Sequence, residues 1–138
     1  MAILGLDVGD KNTGVALSDE SGIIAFPLDT LTSSNDNILE IRNLIDEYNV
    51  RKIVVGMPYT LSGNIGAQAD RVEKFIEKLS ASIELPVIKI DERFTTQEAK
   101  RITSEYKIKR NKKKVIGKWT DDALAASIIL QSYLDYSR

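Results

Sequence analysis

Asp7 sits where a folding chain least tolerates a charge. It interrupts Ile3-Leu4-Gly5-Leu6-Asp7-Val8, an apolar run that otherwise reads as a buried strand. A carboxylate in such a run is costly unless it is paired, hydrogen-bonded or bound to a metal ion. The run is followed by a tight turn and by a second strand that opens near Thr13. Gly9 removes a side chain where something large must come close, and Gly14 repeats this in the returning strand. Asp7 is therefore the expected centre of an active site, with partners to be sought downstream.

The residue inventory limits what those partners can be. The 138 residues include no histidine and no cysteine. Disulfides, thiolate metal sites and imidazole acid-base chemistry are thereby excluded. Any metal must be held by oxygens, which points to magnesium or manganese. The length suits one domain, 1–138, with a single core. No apolar run approaches the ~20 residues of a membrane span, and the first residues enter a strand without a signal-peptide layout. No membrane partner is expected. Net charge is −1, yet Lys107 to Lys118 holds seven basic residues and no acidic one, which leaves −8 elsewhere. A basic segment on an acidic body suits contact with nucleic acid, or is simply a solvated loop.

Taken in order, residues 3–8, 13–19 and roughly 23–31 read as an antiparallel meander, with Asp19-Glu20-Ser21-Gly22 as a turn. Ser34-Asn35-Asp36 offers caps for a helix whose inner face is Ile38, Ile41, Leu44, Ile45 and Tyr48. Arg51-Lys52 leads into Ile53–Met57, a continuous apolar strand of the kind buried on both faces. A loop over 58–66 precedes a helix with Ala69, Val72, Ile76 and Leu79 inside and an Asp70/Lys74 pair outside. Residues 85–90 form the next strand. Thr95 and Glu98 have capping-box spacing for a helix carrying Ala99, Ile102 and Tyr106. Thr120 caps a last helix from Asp121 to about Tyr136, apolar enough to be buried. This order predicts an α/β fold with a mixed five-stranded sheet and helices on both faces.

Three acidic positions stand out. Asp7 lies on the first strand, Glu92 just past the fifth, and Asp121 or Asp122 at the start of the last helix. Ligand sites of α/β sheets gather beyond the carboxyl ends of parallel strands, so Asp7 and Glu92 converge if their strands run parallel. A divalent cation would relieve the repulsion between gathered carboxylates. Each residue also has a plainer explanation. Asp7 would satisfy backbone amides of the turn. Glu92 would pair with Arg93 or a lysine. Asp121 and Asp122 would simply favour the helix dipole. Periodicity does not separate the two aspartates, although Ala125 and Ala126 would let the Asp122 face lie close to the sheet.

Four ordered blocks carry a resemblance over nearly the whole chain. They are Leu6-Asp7-Val8-Gly9-Asp10-Lys11-Asn12-Thr13-Gly14-Val15-Ala16; Val55-Gly56-Met57-Pro58 with Gly63 and Gln68; Asp91-Glu92-Arg93-Phe94-Thr95-Thr96; and Asp122 with Ala125-Ala126 and Ile129-Leu130-Gln131-Ser132-Tyr133-Leu134. Together they resemble the YqgF/RuvX family of Holliday junction resolvases and pre-ribosomal-RNA nucleases. The resemblance implies a ribonuclease-H-like fold, a cytoplasmic bacterial setting and a catalytic, metal-binding triad of Asp7, Glu92 and Asp122. Asp10 stands where the family often has a hydroxyl residue, and Phe94 where it usually has an aliphatic one. Asp10 adds negative charge beside the site.

The expected activity is magnesium-dependent cleavage of structured RNA or branched DNA. Lys11 and Arg93 flank the acidic centre and are candidates to hold a phosphate, although Arg93 is equally suited to pair with Asp91. Lys109, Arg110, Lys112, Lys113 and Lys114 would grip backbone phosphates without reading sequence. Residues 107–118 should be mobile without nucleic acid. Trp119 is expected to pack against the last helix rather than stack on a base, and Gly63-Asn64 and Gln68 to line the groove. Competing readings are an actin-like ATP-handling domain, for which the chain is short, and a non-catalytic RNA-binding module. A symmetric four-way junction would call for a dimer, but no sequence feature decides between monomer and homodimer.

Overall fold

The computed structural model describes residues 1–32, 37–59, 66–94 and 121–137. The caps at Ser34-Asn35-Asp36, the Gly63-Asn64 loop, the helix expected from Thr95, the basic segment and Trp119 all lie outside the described residues.

The alternation of the strands sets the architecture. Strands β1 (Ala2–Val8), β2 (Asn12–Ser18), β3 (Ala25–Thr32), β4 (Val50–Met57) and β5 (Val87–Asp91) form one sheet in the order β3-β2-β1-β4-β5. β1 is antiparallel to β2, and β2 to β3. β1, β4 and β5 run parallel. Leu4 and Leu6 of β1, with Ile53, Val55 and Met57 of β4, face helices α1 (Ile38–Tyr48) and α2 (Ala67–Ser82). Ile3 and Val54 point the other way, toward helix α3 (Asp121–Tyr136). With period two, Asp7 belongs to the α3 face.

The helices follow the expected faces. Ala69, Val72, Ile76 and Leu79 of α2 are buried, and Asp70 meets Lys74 at 3.1 Å on its outer side. α1 ends at Asn49, whose positive φ of 52° and N–H donated to Ile45 close the helix in the left-handed conformation. β4 begins at Val50, earlier than its apolar run suggested. Lys52 enters the strand by laying its amine against Tyr133, donating to the hydroxyl at 3.1 Å.

α3 is buried almost all round. Gln131 is the polar residue that makes this tenable. Its Oε1 accepts from the Ala25 N–H at 2.9 Å, and its Nε2 donates to the Ile23 carbonyl at 2.8 Å. It thus satisfies the entry to the outer strand β3. Gln131→Leu strands both groups and should lower stability by about 2 kcal/mol or more. Urea unfolding is the measurement, with any catalytic rate per folded molecule unchanged.

Candidate active site

The carboxyl ends of β1, β4 and β5 lie at one end of the sheet, since these strands are parallel. Asp7 is in register with Gly14 on β2. On its other side, Val55 pairs with Leu6, and Gly56 comes next. Asp7 is therefore flanked on both neighbouring strands by residues without side chains.

Each glycine is filled by a part of the site. A Cβ on Gly56 would lie 2.7 Å from Glu92 Oε1 and 2.6 Å from Ile129 Cδ1. Glu92 opens a 3-10 turn directly after β5 and crosses over Gly56 to reach Asp7, to which it is hydrogen-bonded. A Cβ on Gly14 would collide with the main-chain carbonyl of Asp122. That close approach brings the first turn of α3 onto the sheet beside Asp7. Gly9 also has a use within the chain itself. Its N–H donates to the Asn12 carbonyl at 2.9 Å, and a Cβ would lie 2.8 Å from that oxygen, so it closes the β1–β2 turn.

The two carboxyl groups are held in an environment that disfavours two negative charges. Burial raises Asp7, the bond from Glu92 offsets part of this, and the charge of Asp122 raises it further. Burial also raises Glu92, with the Asp7 charge and the shared hydrogen bond acting in the same direction, to about 7. One proton between them resolves the conflict. Asp122 is half-buried, while Asp121 is exposed and turned to solvent. Asp7, Glu92, Ala125, Ile128 and Ile129 line an open pocket of about 190 Å³. It has a carboxylate wall and an apolar wall.

The donor set suits a hard divalent cation, because the titratable groups that converge here among the described residues are carboxyls, and they already compete for one proton. Asp7 and Glu92 would be the first ligands. Asp122 acts on Asp7 through its charge, and no group of three acidic side chains among the described residues forms a ready-made cation cage.

Two candidate partners of the acidic centre are otherwise engaged. Arg93 forks onto Asp91, with Nη2 at 2.6 Å from Oδ2 and its backbone N–H at 2.9 Å from Oδ1. These bonds hold the Asp91 carboxyl below the usual range. Arg93 also lies over the Tyr59 ring at 6.0 Å. Asp10 meets Arg71 of α2 at 2.7 Å. Lys11 is exposed on the β1–β2 turn. Lys109, Arg110, Lys112, Lys113 and Lys114 lie outside the described residues. The sequence reading gave no role to Ile128, which lines the pocket; its helical spacing from Asp121 and Ala125 is the signal that could have found it.

A pH dependence follows from Glu92. Its ordinary value is 4.5 and its folded value about 7. Between these the folded chain keeps a proton that the unfolded chain has released. Stability is therefore fully present below about 4.5 and is lost as pH rises through about 7. Urea unfolding of metal-free protein should show this decline, and Glu92→Gln should flatten it.

A family model described as "RuvX: Holliday junction resolvase" matches residues 1–136. A protein of Desulforudis audaxviator named "Putative pre-16S rRNA nuclease" is 44% identical over 138 residues, covering 98% of this chain and 94% of its own length. Its namesake in Thermoanaerobacter pseudethanolicus is 47% identical over 138 residues, covering 98% and 96%. Among solved structures, T. thermophilus RuvC in complex with Holliday junction substrate superposes with a TM-score of 0.69 at 13% identity, covering 100% of this chain and 95% of that one. Fowlpox virus resolvase with Holliday junction DNA gives 0.61 at 15% identity, with 99% of each chain covered. At these identities the structural likeness is one of fold, the ribonuclease-H-like α/β arrangement.

Proposed function

This chain belongs to the RuvX family of nucleases, and from that premise we propose that it is a magnesium- or manganese-dependent endonuclease acting on precursor 16S rRNA in the cytoplasm. The observation that carries this is the meeting of Asp7 and Glu92 over Gly56, at the end of the sheet where three parallel strands finish. The substrate follows from the relatives that match at 44% and 47% identity over nearly their full lengths and are named for that RNA.

The residues have distinct tasks. Asp7 and Glu92 would hold the cation, and Asp122 at the start of α3 would complete the acidic set. When bound, the cation supplies charge neutralisation at the scissile phosphate and lowers the pKa of the attacking water. Ala125, Ile128 and Ile129 form the wall that keeps bulk water from one side of the pocket. Lower water content strengthens every charge interaction within. Lys11, exposed on the β1–β2 turn, would meet a neighbouring phosphate. The basic residues Lys109, Arg110, Lys112, Lys113 and Lys114 hold the RNA backbone, which makes binding weaken steeply with salt. Arg93 would give up bonds to Asp91 in turning its fork onto a phosphate.

The description of the matching family as Holliday junction resolvase supports a second reading, cleavage of a four-way DNA junction. That reaction cuts two symmetric strands and so requires a homodimer, whereas single cuts in an RNA precursor suit a monomer. A matched panel of precursor 16S rRNA, four-way DNA junction and plain duplex DNA distinguishes them. Cleavage of the RNA with magnesium, and none with chelator, is expected. Cleavage confined to the junction favours the second reading. No cleavage of any substrate, or cleavage that persists in chelator, overturns the proposal.

A further inference from the structure

The peptide that follows Val8, one residue beyond Asp7, is held by a residue far from it in sequence. β4 ends at Met57, and the next residue is Pro58. Proline has no N–H, so the parallel ladder between β1 and β4 cannot extend by another rung from that strand. The Val8 carbonyl stands at this point, at the last residue of β1. It accepts instead from the Gln68 side chain, whose Nε2 lies 3.0 Å away in half-buried surroundings. Gln68 is in the first turn of α2, and its amide reaches out to the sheet rather than capping its own helix, whose N-cap is Gly66. Three residues on, Arg71 holds Asp10 at 2.7 Å. One face of α2 thus grips both sides of the turn that follows Asp7. The exposed Arg71–Asp10 pair is the weaker grip, because solvent screens it.

We propose that Gln68 is a positioning residue of the active site: by bonding the Val8 carbonyl in place of the rung that Pro58 cannot supply, it fixes the end of β1 and so the direction of the Asp7 carboxylate toward Glu92. This rests on the nuclease reading for its catalytic consequence, but not for its structural one. The direction of a side chain on a strand is set by its own backbone and the peptides on either side. Asp7 has Leu6 before it, tied to both neighbouring strands, and Val8 after it, whose turn-side carbonyl depends on Gln68. Without that bond the strand end keeps its pairing with β2 but loses its tie on the β4 side, and a carboxylate displaced by about 1 Å loses on the order of 100-fold in rate. Gln68 touches backbone, so nucleic-acid binding itself is unaffected.

The test is Gln68→Met, which keeps the volume and helix propensity of the side chain and deletes the donor. Two readouts are needed. Amide hydrogen exchange at Gly9, whose N–H closes the adjoining turn onto Asn12, should quicken about 10-fold or more, while α1 and β4 amides keep their rates. With the RNA precursor, kcat should fall about 10- to 100-fold with KM unchanged. Gln68→Glu, which replaces the donor with a second acceptor, serves as the companion variant and should lose at least as much. A folded variant with wild-type protection at Gly9, or with wild-type kcat, overturns the proposal, as does a loss confined to KM. Should the wild-type protein cleave nothing, the nuclease reading fails, and the Gly9 exchange rate still decides whether Gln68 braces this turn.

Discussion

Asp7→Asn is expected to lower cleavage by at least about 1,000-fold, equivalent to ~4 kcal/mol of barrier, while leaving the fold intact or more stable. The two halves of this result have one cause. Asp7 is a half-buried carboxyl that meets Glu92 and feels the charge of Asp122, and burial is the largest influence on it. A neutral amide of the same shape removes the cost of holding a charge there. It also removes the hard anionic oxygen that a divalent cation requires. Thermal unfolding of metal-free protein should show no loss, and calorimetric titration with manganese should show weakened binding. Glu92 would move back toward the ordinary carboxylate range as the neighbouring charge disappears, although burial, its largest influence, remains. A variant that cleaves as fast as the parent would remove Asp7 from the mechanism altogether.

Much of this arrangement was legible in the sequence because the signals were local. Asp7 stands out against the apolar residues beside it. The faces of α1 and α2 follow from spacing alone, and Ile41, Val72 and Leu79 are buried where periodicity places them. The parallel run of β1, β4 and β5 follows from the alternation of strand and helix. What sequence could not supply was register across three strands. That Asp7 faces Gly14 depends on the register set by the β1–β2 turn, and that Glu92 crosses Gly56 depends on a pairing between strands tens of positions apart. The same holds for Gln68, whose bond to Val8 spans 60 residues and substitutes for a rung lost to a proline. Gly9 illustrates a different difficulty. A glycine next to an acidic centre suggests room for a ligand, and the Asn12 carbonyl of the tight turn already stands where its Cβ would be. The choice between Asp121 and Asp122 turns on the rotation of α3 about its own axis. That rotation is fixed by the contact of the Asp122 main chain with Gly14.

The two glycines beside Asp7 should respond oppositely to the same substitution. Gly14→Ala drives a methyl group into the Asp122 carbonyl and to within 3.0 Å of the Ala123 nitrogen. Both are main-chain atoms of a helix packed on the sheet, so neither can rotate aside. The first turn of α3 must lift from β2, at a cost of about 3 kcal/mol or more. Gly56→Ala meets side-chain atoms rather than backbone: Ile129 Cδ1, and Glu92 at both Oε1 and Cγ. These can swing away at a cost of about 1 kcal/mol. The movement of Glu92, however, takes it from Asp7 and separates the pair proposed to hold the cation, with an expected loss on the order of 100-fold in kcat. Urea unfolding and single-turnover cleavage on the two proteins measure both quantities. A destabilised Gly14→Ala protein whose folded fraction still cleaves, beside a stable Gly56→Ala protein that does not, would separate the glycine that seats the helix from the glycine that admits Glu92. If Gly56→Ala retains full activity, Glu92 reaches its partner by another path, and the crossing over β4 is not what assembles the site.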